Sequence, residues 1–210
     1  MATANTEVTV KIIADCDPEN PREWDNLGTM VCAHRRYSSL GDTDGKDDAL
    51  QIIYRYLSEK QLDALDFDPD CIPSIETALE KTGQVIMLPI YMYEHSGIAL
   101  RTYPFGCRWD SGKLGFIFVS KEKVRSEYGW KLINASRKEQ IAKYLEGEVE
   151  TYHQYVSGDV WGFQVFKGDE EVDSCWGFFG DDPMTNGIID HLCEEAKQVV
   201  RSGNHSVCYS

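Results

Sequence analysis

Apolar positions along the chain fall into short alternating or continuous runs that are typical of β-strands. The clearest lie between Val85 and Trp130, where VIMLPIYMY and LGFIFV flank a shorter alternating run, with glycine-containing turns between them. Runs of this length, rich in β-branched and aromatic residues, predict an antiparallel meander. Over the whole chain the pattern predicts strands at residues 6–14, 27–33, 85–93, 98–102, 114–119, 160–167 and 172–179.

Apolar residues at three- and four-residue spacing predict helices between these strands. Ser136 and Glu139 match a capping box, and the apolar positions after them define the longest helix. Asp47 and Asp48 suit the first turn of another helix, because acidic groups complement its N-terminal dipole. The predicted helices cover residues 49–57, 58–65, 74–81, 121–128, 136–156 and 185–201.

Together these elements predict an α+β fold in a single domain, residues 1–210. Short turns join successive strands and regular βα alternation is absent, which favours one largely antiparallel sheet over a doubly wound parallel sheet. The helices at 136–156 and 185–201 are expected to pack on a face of that sheet. Residues 42–83 are expected to form an acidic helical insert between strands.

The composition is that of a chain able to bury a core of ordinary size. No apolar run approaches the roughly 18 residues needed to span a bilayer, and the N-terminal residues have neither the basic nor the apolar region of a signal peptide. Seven cysteines, an odd number without a CxxC pair, favour reduced thiols over a disulfide framework. We therefore expect a cytoplasmic protein that does not enter a membrane.

The net charge of −14 is unevenly distributed. Residues 1–80 hold 17 acidic against 7 basic residues, residues 81–168 hold 9 against 12, and residues 169–210 hold 9 against 2. Such a chain repels nucleic acid and anionic membranes but is attracted to basic surfaces, including the nucleic-acid channels of other proteins. The alternative is that the acids serve solubility alone.

Two polar tracts are the best candidates for a site within the fold. Glu94 and His95 directly follow an apolar strand, and strand ends often deliver functional side chains. His34, Arg35 and Arg36 stand beside aromatic residues in an acidic stretch, and paired guanidinium groups suit a phosphate or carboxylate. The alternatives are a polar turn whose histidine packs against a tyrosine, and arginines that neutralise neighbouring aspartates.

No residue set forms a strong catalytic motif, so no catalytic residue is assigned. The stretch from Asp42 to Asp48 resembles the opening of a calcium loop, but its glycine is at the fourth position and its twelfth position is Ile53. Cys32 and His34 would share one face of an extended segment, but no second ligand pair stands at zinc-binding spacing. The sequence therefore predicts neither a metal nor a cofactor.

Several longer motifs resemble a family of small acidic proteins encoded by bacteriophages and other mobile elements. They cover most of Trp24 to Gly180 and read WDNLGTMVC, HRRY, LPIYMYEHSG, WDSG and GDVWGF. The motifs contain no set of residues that specifies a chemical reaction. The resemblance implies a role in genome handling or in conflict between phage and host, within the cytoplasm of the infected cell. Acidic phage proteins frequently imitate nucleic acid, an analogy of context rather than of fold.

The leading hypothesis is an anti-CRISPR or antirestriction inhibitor. It would bind a basic host protein or nucleoprotein effector by imitating nucleic acid, without binding nucleic acid itself. The alternatives are a small hydrolase or nuclease, and a regulatory protein-binding module. The expected partner-binding residues are Asp42, Asp44, Asp47, Asp48, Asp66, Asp68 and Asp70, and a second candidate cluster comprises His34, Arg35, Arg36, Glu94 and His95.

Overall fold

The computed structural model describes residues 7–107 and 109–209, which fall into two compact units. The terminal unit combines the described residues up to Pro21 with those from Gln154 onward. The central unit runs from Arg22 to His153. Each unit contains a four-stranded sheet.

The terminal unit is built on β1 (Val8–Ala14), β6 (Val160–Lys167), β7 (Glu170–Phe179) and β8 (Ser206–Cys208). The strand order is β7-β6-β1-β8, with β8 parallel to β1 and the other pairs antiparallel. Two short helices follow the β6–β7 hairpin, α6 (Ile188–His191) and α7 (Glu194–Arg201). Their apolar side chains and alternate residues of the strands form one core, which includes Val10, Ile12, Trp161, Phe163, Val165, Phe178, Ile188, Leu192, Ala196 and Val200.

The central unit is built on an antiparallel sheet with the order β2-β5-β3-β4. Its strands are β2 (Thr29–Cys32), β3 (Val85–Glu94), β4 (Ile98–Arg101) and β5 (Ser111–Ser120). Three helices lie between β2 and β3 in sequence, and two follow β5. They are α1 (Gly45–Tyr56), α2 (Glu59–Ala64), α3 (Ile72–Lys81), α4 (Lys121–Tyr128) and α5 (Ala135–Ser157).

Helices cover both faces of the central sheet. Side chains alternate along β5, so its continuous apolar run places apolar side chains on both faces. Phe116 and Phe118 share a core with apolar residues of α1 and α3. Ile117 points the other way, toward α5. There Gly28 is a close-contact position, since a Cβ on it would lie 2.7 Å from Ile117 and 2.6 Å from Leu145. The sheet is therefore held between α1 and α3 on one side and α5 on the other.

The α+β class and the antiparallel pairing are confirmed, but the prediction of one sheet is wrong. The predicted strands divide between two sheets, and the helix predicted at 136–156 packs on the central sheet while the helices within 185–201 belong to the terminal unit. The prediction of a single domain over residues 1–210 stays a prediction, since two compact units can fold together. The predicted insert, 42–83, contains α1, α2 and α3.

Smaller corrections concern helix ends and the last residues. The helix predicted at 185–201 is broken between α6 and α7, where Leu192 is extended. The side chain of Asn134, rather than Ser136, accepts the backbone N–H of Arg137 and so caps α5. Residues 206–208, expected to fray, pair with β1. None of the helices in the described residues is long and apolar enough to cross a membrane.

Candidate functional site

The second candidate cluster of the sequence converges on one pocket of the central unit. β2 and β3 are both antiparallel to β5, so the two strands end at the edge where β5 begins. The loop after β2, the end of β3 and the loop before β5 therefore meet around a cavity of about 440 Å³. Its lining includes His34, Arg35, Arg36, Glu94, His95, Trp109, Asp110, Ser111 and Lys113.

Glu94, the last residue of β3, holds the loop after β2 in place. Its Oε1 accepts hydrogen bonds from Arg36 Nη1 at 2.8 Å and from the Tyr37 hydroxyl at 3.0 Å. Its Oε2 lies 3.9 Å from His34 Nε2, and the His34 and Tyr37 rings stack with centroids 5.1 Å apart. The hydrogen bond to Glu94 raises the pKa of Tyr37. One carboxylate thus positions a cation, a phenol and an imidazole.

A second imidazole and carboxylate face the same pocket from the other loop. His95 Nδ1 lies 3.7 Å from Asp110 Oδ2, and the Cys107 thiol lies 3.5 Å from that same oxygen. The Ser111 hydroxyl donates to the Cys107 carbonyl, so it is held by the backbone. The carboxylate stands between thiol and imidazole, whereas an activated nucleophile needs direct contact with its base. The arrangement favours an imidazole–carboxylate pair over a cysteine nucleophile.

The cations of the pocket differ in how far they are already neutralised. Arg36 is bonded to Glu94, and Lys113 Nζ lies 2.6 Å from each carboxylate oxygen of Glu76 on α3. Arg35 is exposed and makes no ion pair or hydrogen bond within the part of the chain that the structure describes. Its guanidinium is therefore available to an anion in the pocket.

Trp109 is the most exposed large apolar side chain at the pocket, with 95% of its surface accessible. An indole in this position offers a flat face for stacking. In sequence WDSG is one of the motifs of the resemblance, and nothing local assigns it to the site. The missed signal was topological, since only the antiparallel order of the strands brings this turn beside Glu94 and His95.

Asp42, the first of the expected partner-binding acids, is engaged inside the central unit. Its Oδ1 lies 2.7 Å from Arg22 Nε, and its Oδ2 accepts Arg22 Nη2 at 2.9 Å and the Met30 backbone N–H at 2.9 Å. Arg22, rather than Arg35 or Arg36, thus neutralises a neighbouring aspartate. We therefore leave Asp42 out of the surface considered below.

Acids at the beginning of α1 and in the loop after α2 lie close together near Lys46. Lys46 Nζ lies 2.7 Å from Asp70 Oδ1, and the hydrogen bond to Asp70 followed by the charges of Asp70, Asp47 and Asp68 raises the pKa of Lys46. Asp44 precedes α1 as its N-cap residue. We define the acidic patch as Asp44, Asp47, Asp68 and Asp70, all of which are exposed.

Two further expected acids, Asp48 and Asp66, are not counted in the acidic patch. Asp48 is exposed but lines a different pocket, together with Arg55 and Lys123. Partial burial raises the pKa of Asp48, and the charges of Asp44 and Asp42 raise it further. Asp66 is exposed in the loop after α2 with a left-handed backbone, φ +49°.

Within residues 7–107 and 109–209, no three His, Cys, Asp or Glu side chains lie together in a way that could hold a metal ion. No family model, no curated protein and no solved structure matches the chain. Function is therefore inferred from the geometry and charge of these two surfaces.

Proposed function

We propose that this chain is a phage-type anti-defence protein, a stoichiometric inhibitor of the anti-CRISPR or antirestriction kind. It acts in the cytoplasm of the infected cell on a basic host protein or nucleoprotein effector. The observation that carries the proposal is the acidic patch. Acidic residues of two segments, 44–47 and 68–70, meet on one exposed surface around the Lys46–Asp70 ion pair.

The wider charge distribution supports a partner with a basic surface. Residues 1–21 and 154–210, which include the terminal unit, hold 14 acidic against 4 basic residues, a net charge of −10 out of the total of −14. The acids of β7 and of the segments around α6 and α7 are exposed. The negative electrostatic field of these residues speeds association with a basic channel and disfavours the binding of nucleic acid.

The test is capture of the effector and measurement of its affinity. Tagged protein is incubated with lysate of a host that carries CRISPR and restriction systems, and the retained effector is purified and titrated at 0.05, 0.15 and 0.5 M salt. We expect duplex DNA or guide RNA to compete and affinity to fall as salt rises, because screening weakens contacts between exposed charges.

A matched pair of variants tests the acidic patch itself. The patch variant D44N/D47N/D68N/D70N should weaken effector binding by about 10-fold or more, since each removed charge lowers long-range attraction. The control variant E59Q/D63N/E80Q/E150Q removes four other exposed acids of the central unit and should change affinity by less than about 3-fold. Affinity insensitive to salt and to the patch variant would contradict mimicry and favour a regulatory binding module.

The second candidate function is a small hydrolase or nuclease. It is favoured by the two imidazole–carboxylate pairs, His34 with Glu94 and His95 with Asp110, which line one cavity. Two such pairs can serve as general base and general acid on opposite sides of a scissile bond. Loss of the biological effect in His95→Ala, with fold and effector binding intact, would decide for this alternative.

A further inference from the structure

The pocket at the ends of β2 and β3 combines features that no acidic inhibitor surface requires. Its lining includes three cations and two carboxylates among the residues that the structure describes, whereas the chain as a whole carries −14. Two of its cations already have carboxylate partners, but Arg35 does not have one among the described residues. We infer that this pocket binds a nucleotide, with its phosphate at Arg35 and its base on Trp109.

The phosphate is assigned to Arg35 because of the chemistry of its side chain. A guanidinium is planar, always charged, and presents paired N–H groups that match two oxygens of a phosphate. Arg36 and Lys113 lie in the same lining and add positive potential, although their nearest acceptors are Glu94 and Glu76. An anion entering the pocket thus meets the Arg35 guanidinium, which gives up no ion pair with any residue that the structure describes.

The base is assigned to Trp109, whose indole is 95% exposed at the cavity. Aromatic side chains in this state commonly stack on nucleobases, a contact that tolerates any base because each has a π-face. Stacking therefore gives the exposed indole a function.

The sugar is assigned to Asp110, which directly follows Trp109 in sequence and lines the same cavity. Its Oδ2 faces His95 at 3.7 Å and the Cys107 thiol at 3.5 Å, contacts that leave the carboxylate able to accept ribose hydroxyls. A cavity of about 440 Å³ lies in the usual range for small-molecule sites. Phosphate, sugar and base thus each have a group suited to them.

This inference goes beyond the proposed inhibitor and does not depend on the acidic patch. For the hydrolase alternative it names the substrate class. The probes are AMP, adenosine, inorganic phosphate and a short 5′-phosphorylated oligonucleotide, titrated into the full-length protein by calorimetry. AMP binding supports a free nucleotide as the ligand, and binding of the oligonucleotide alone supports a strand end.

Two variants assign the contacts, and a third is the control. Arg35→Ala should weaken AMP by about 10- to 100-fold and leave adenosine unchanged, since it removes charge-assisted hydrogen bonds to phosphate only. Trp109→Ala should weaken both AMP and adenosine by about 5- to 100-fold through lost stacking. Arg125→Ala, an exposed arginine outside this lining, is the control for net charge and should leave both affinities unchanged.

The inference is overturned by any of three results. These are no binding of AMP or oligonucleotide at millimolar concentration, inorganic phosphate binding as tightly as AMP, or AMP affinity unaffected by both Arg35→Ala and Trp109→Ala. Both residues are exposed, so the variants should fold as the wild type does. If the patch variant weakens effector binding but leaves AMP binding intact, the pocket binds its nucleotide independently of the acidic patch, as inferred.

Discussion

Replacement of Arg22 by methionine removes the central cation of a polar network in the central unit. The Arg22 side chain is only 3% exposed. It donates to Asp42 at 2.7 Å, to Glu148 of α5 at 3.0 Å and to the Gly28 carbonyl at 2.7 Å. Burial lowers the pKa of Arg22, but Asp42 and then Glu148 more than offset this effect and raise it. The guanidinium thus ties the loop before β2 to α5.

The cost of the substitution follows from what it leaves behind. Asp42 and Glu148 are 21% and 9% exposed, so each would keep a charge in a poorly solvated place. Methionine fills most of the aliphatic volume, which limits the contribution of a cavity. Removing one partner of a buried ion pair typically costs about 3–5 kcal/mol, mostly from the charge that is left unpaired. We expect Arg22→Met to destabilise the central unit by this amount.

Two assays measure the effect. Urea unfolding gives the free energy of unfolding, and hydrogen exchange of peptides shows which of the two units is destabilised. Peptides covering β2 and β5 should lose protection in Arg22→Met, while peptides covering β6 should change less. The triple variant R22M/D42N/E148Q should regain at least about 1 kcal/mol relative to R22M, because neutral amides are less costly to bury than unpaired carboxylates.

Arg55→Met is the matched control, since Arg55 forms an ion pair with Glu122 at 3.0 Å but is 64% exposed. Its effect should stay below about 1 kcal/mol. The reasoning would be refuted if Arg22→Met were no more destabilising than Arg55→Met. A triple variant as unstable as the single one would equally refute it, because the residual charge would then not be the cause.

Three further outcomes follow from individual side chains. Desolvation and, secondarily, the charge of Asp42 raise the pKa of the Cys32 thiol to about 12, so iodoacetamide at pH 8.5 should label it about 100-fold or more slowly than the three exposed cysteines, as measured by mass spectrometry. Gly162→Ala should destabilise the terminal unit by about 1–3 kcal/mol in urea unfolding, because the new Cβ would overlap the Trp176 ring. Glu94→Gln should lower the pKa of Tyr37 toward its ordinary value in an NMR titration, because the hydrogen bond to the carboxylate is what raises it.

The strands could be predicted from sequence because their signal is local. The runs at 85–93, 98–102, 114–119 and 160–167 match β3, β4, β5 and β6 closely. Their assignment to sheets could not be predicted this way. β1 pairs with β6 across about 150 residues, with Val10 opposite Val165, and alternation within each strand carries no information about such a distant partner. Residues at the beginning and end of the sequence therefore form a sheet of their own.

The part of the candidate pocket that could be predicted from sequence consists of polar residues at the ends of strands. Glu94 and His95 were chosen because they follow an apolar strand, and they line the cavity together with His34. Trp109 was missed because an exposed aromatic beside a turn has no periodic signal. The ion pair of Asp42 with Arg22 could not be predicted for a related reason, since composition counts a carboxylate as available whether or not a cation neutralises it.

In the patch variant, the affinity for the effector and the affinity for the nucleotide should change in opposite directions. The patch variant removes four carboxylates and takes the net charge from −14 to −10, which weakens attraction to a basic effector but also weakens repulsion of an anionic nucleotide. At 0.15 M salt the Debye length is about 8 Å, so the nucleotide should bind no more than about 2-fold more tightly while effector affinity falls about 10-fold. Parallel titrations of AMP and effector on the patch variant measure both. A loss of AMP affinity in that variant would show that the two surfaces act as one site. The lower negative charge should strengthen AMP binding, and the acidic patch and the pocket lining have no residue in common, so neither could explain such a loss.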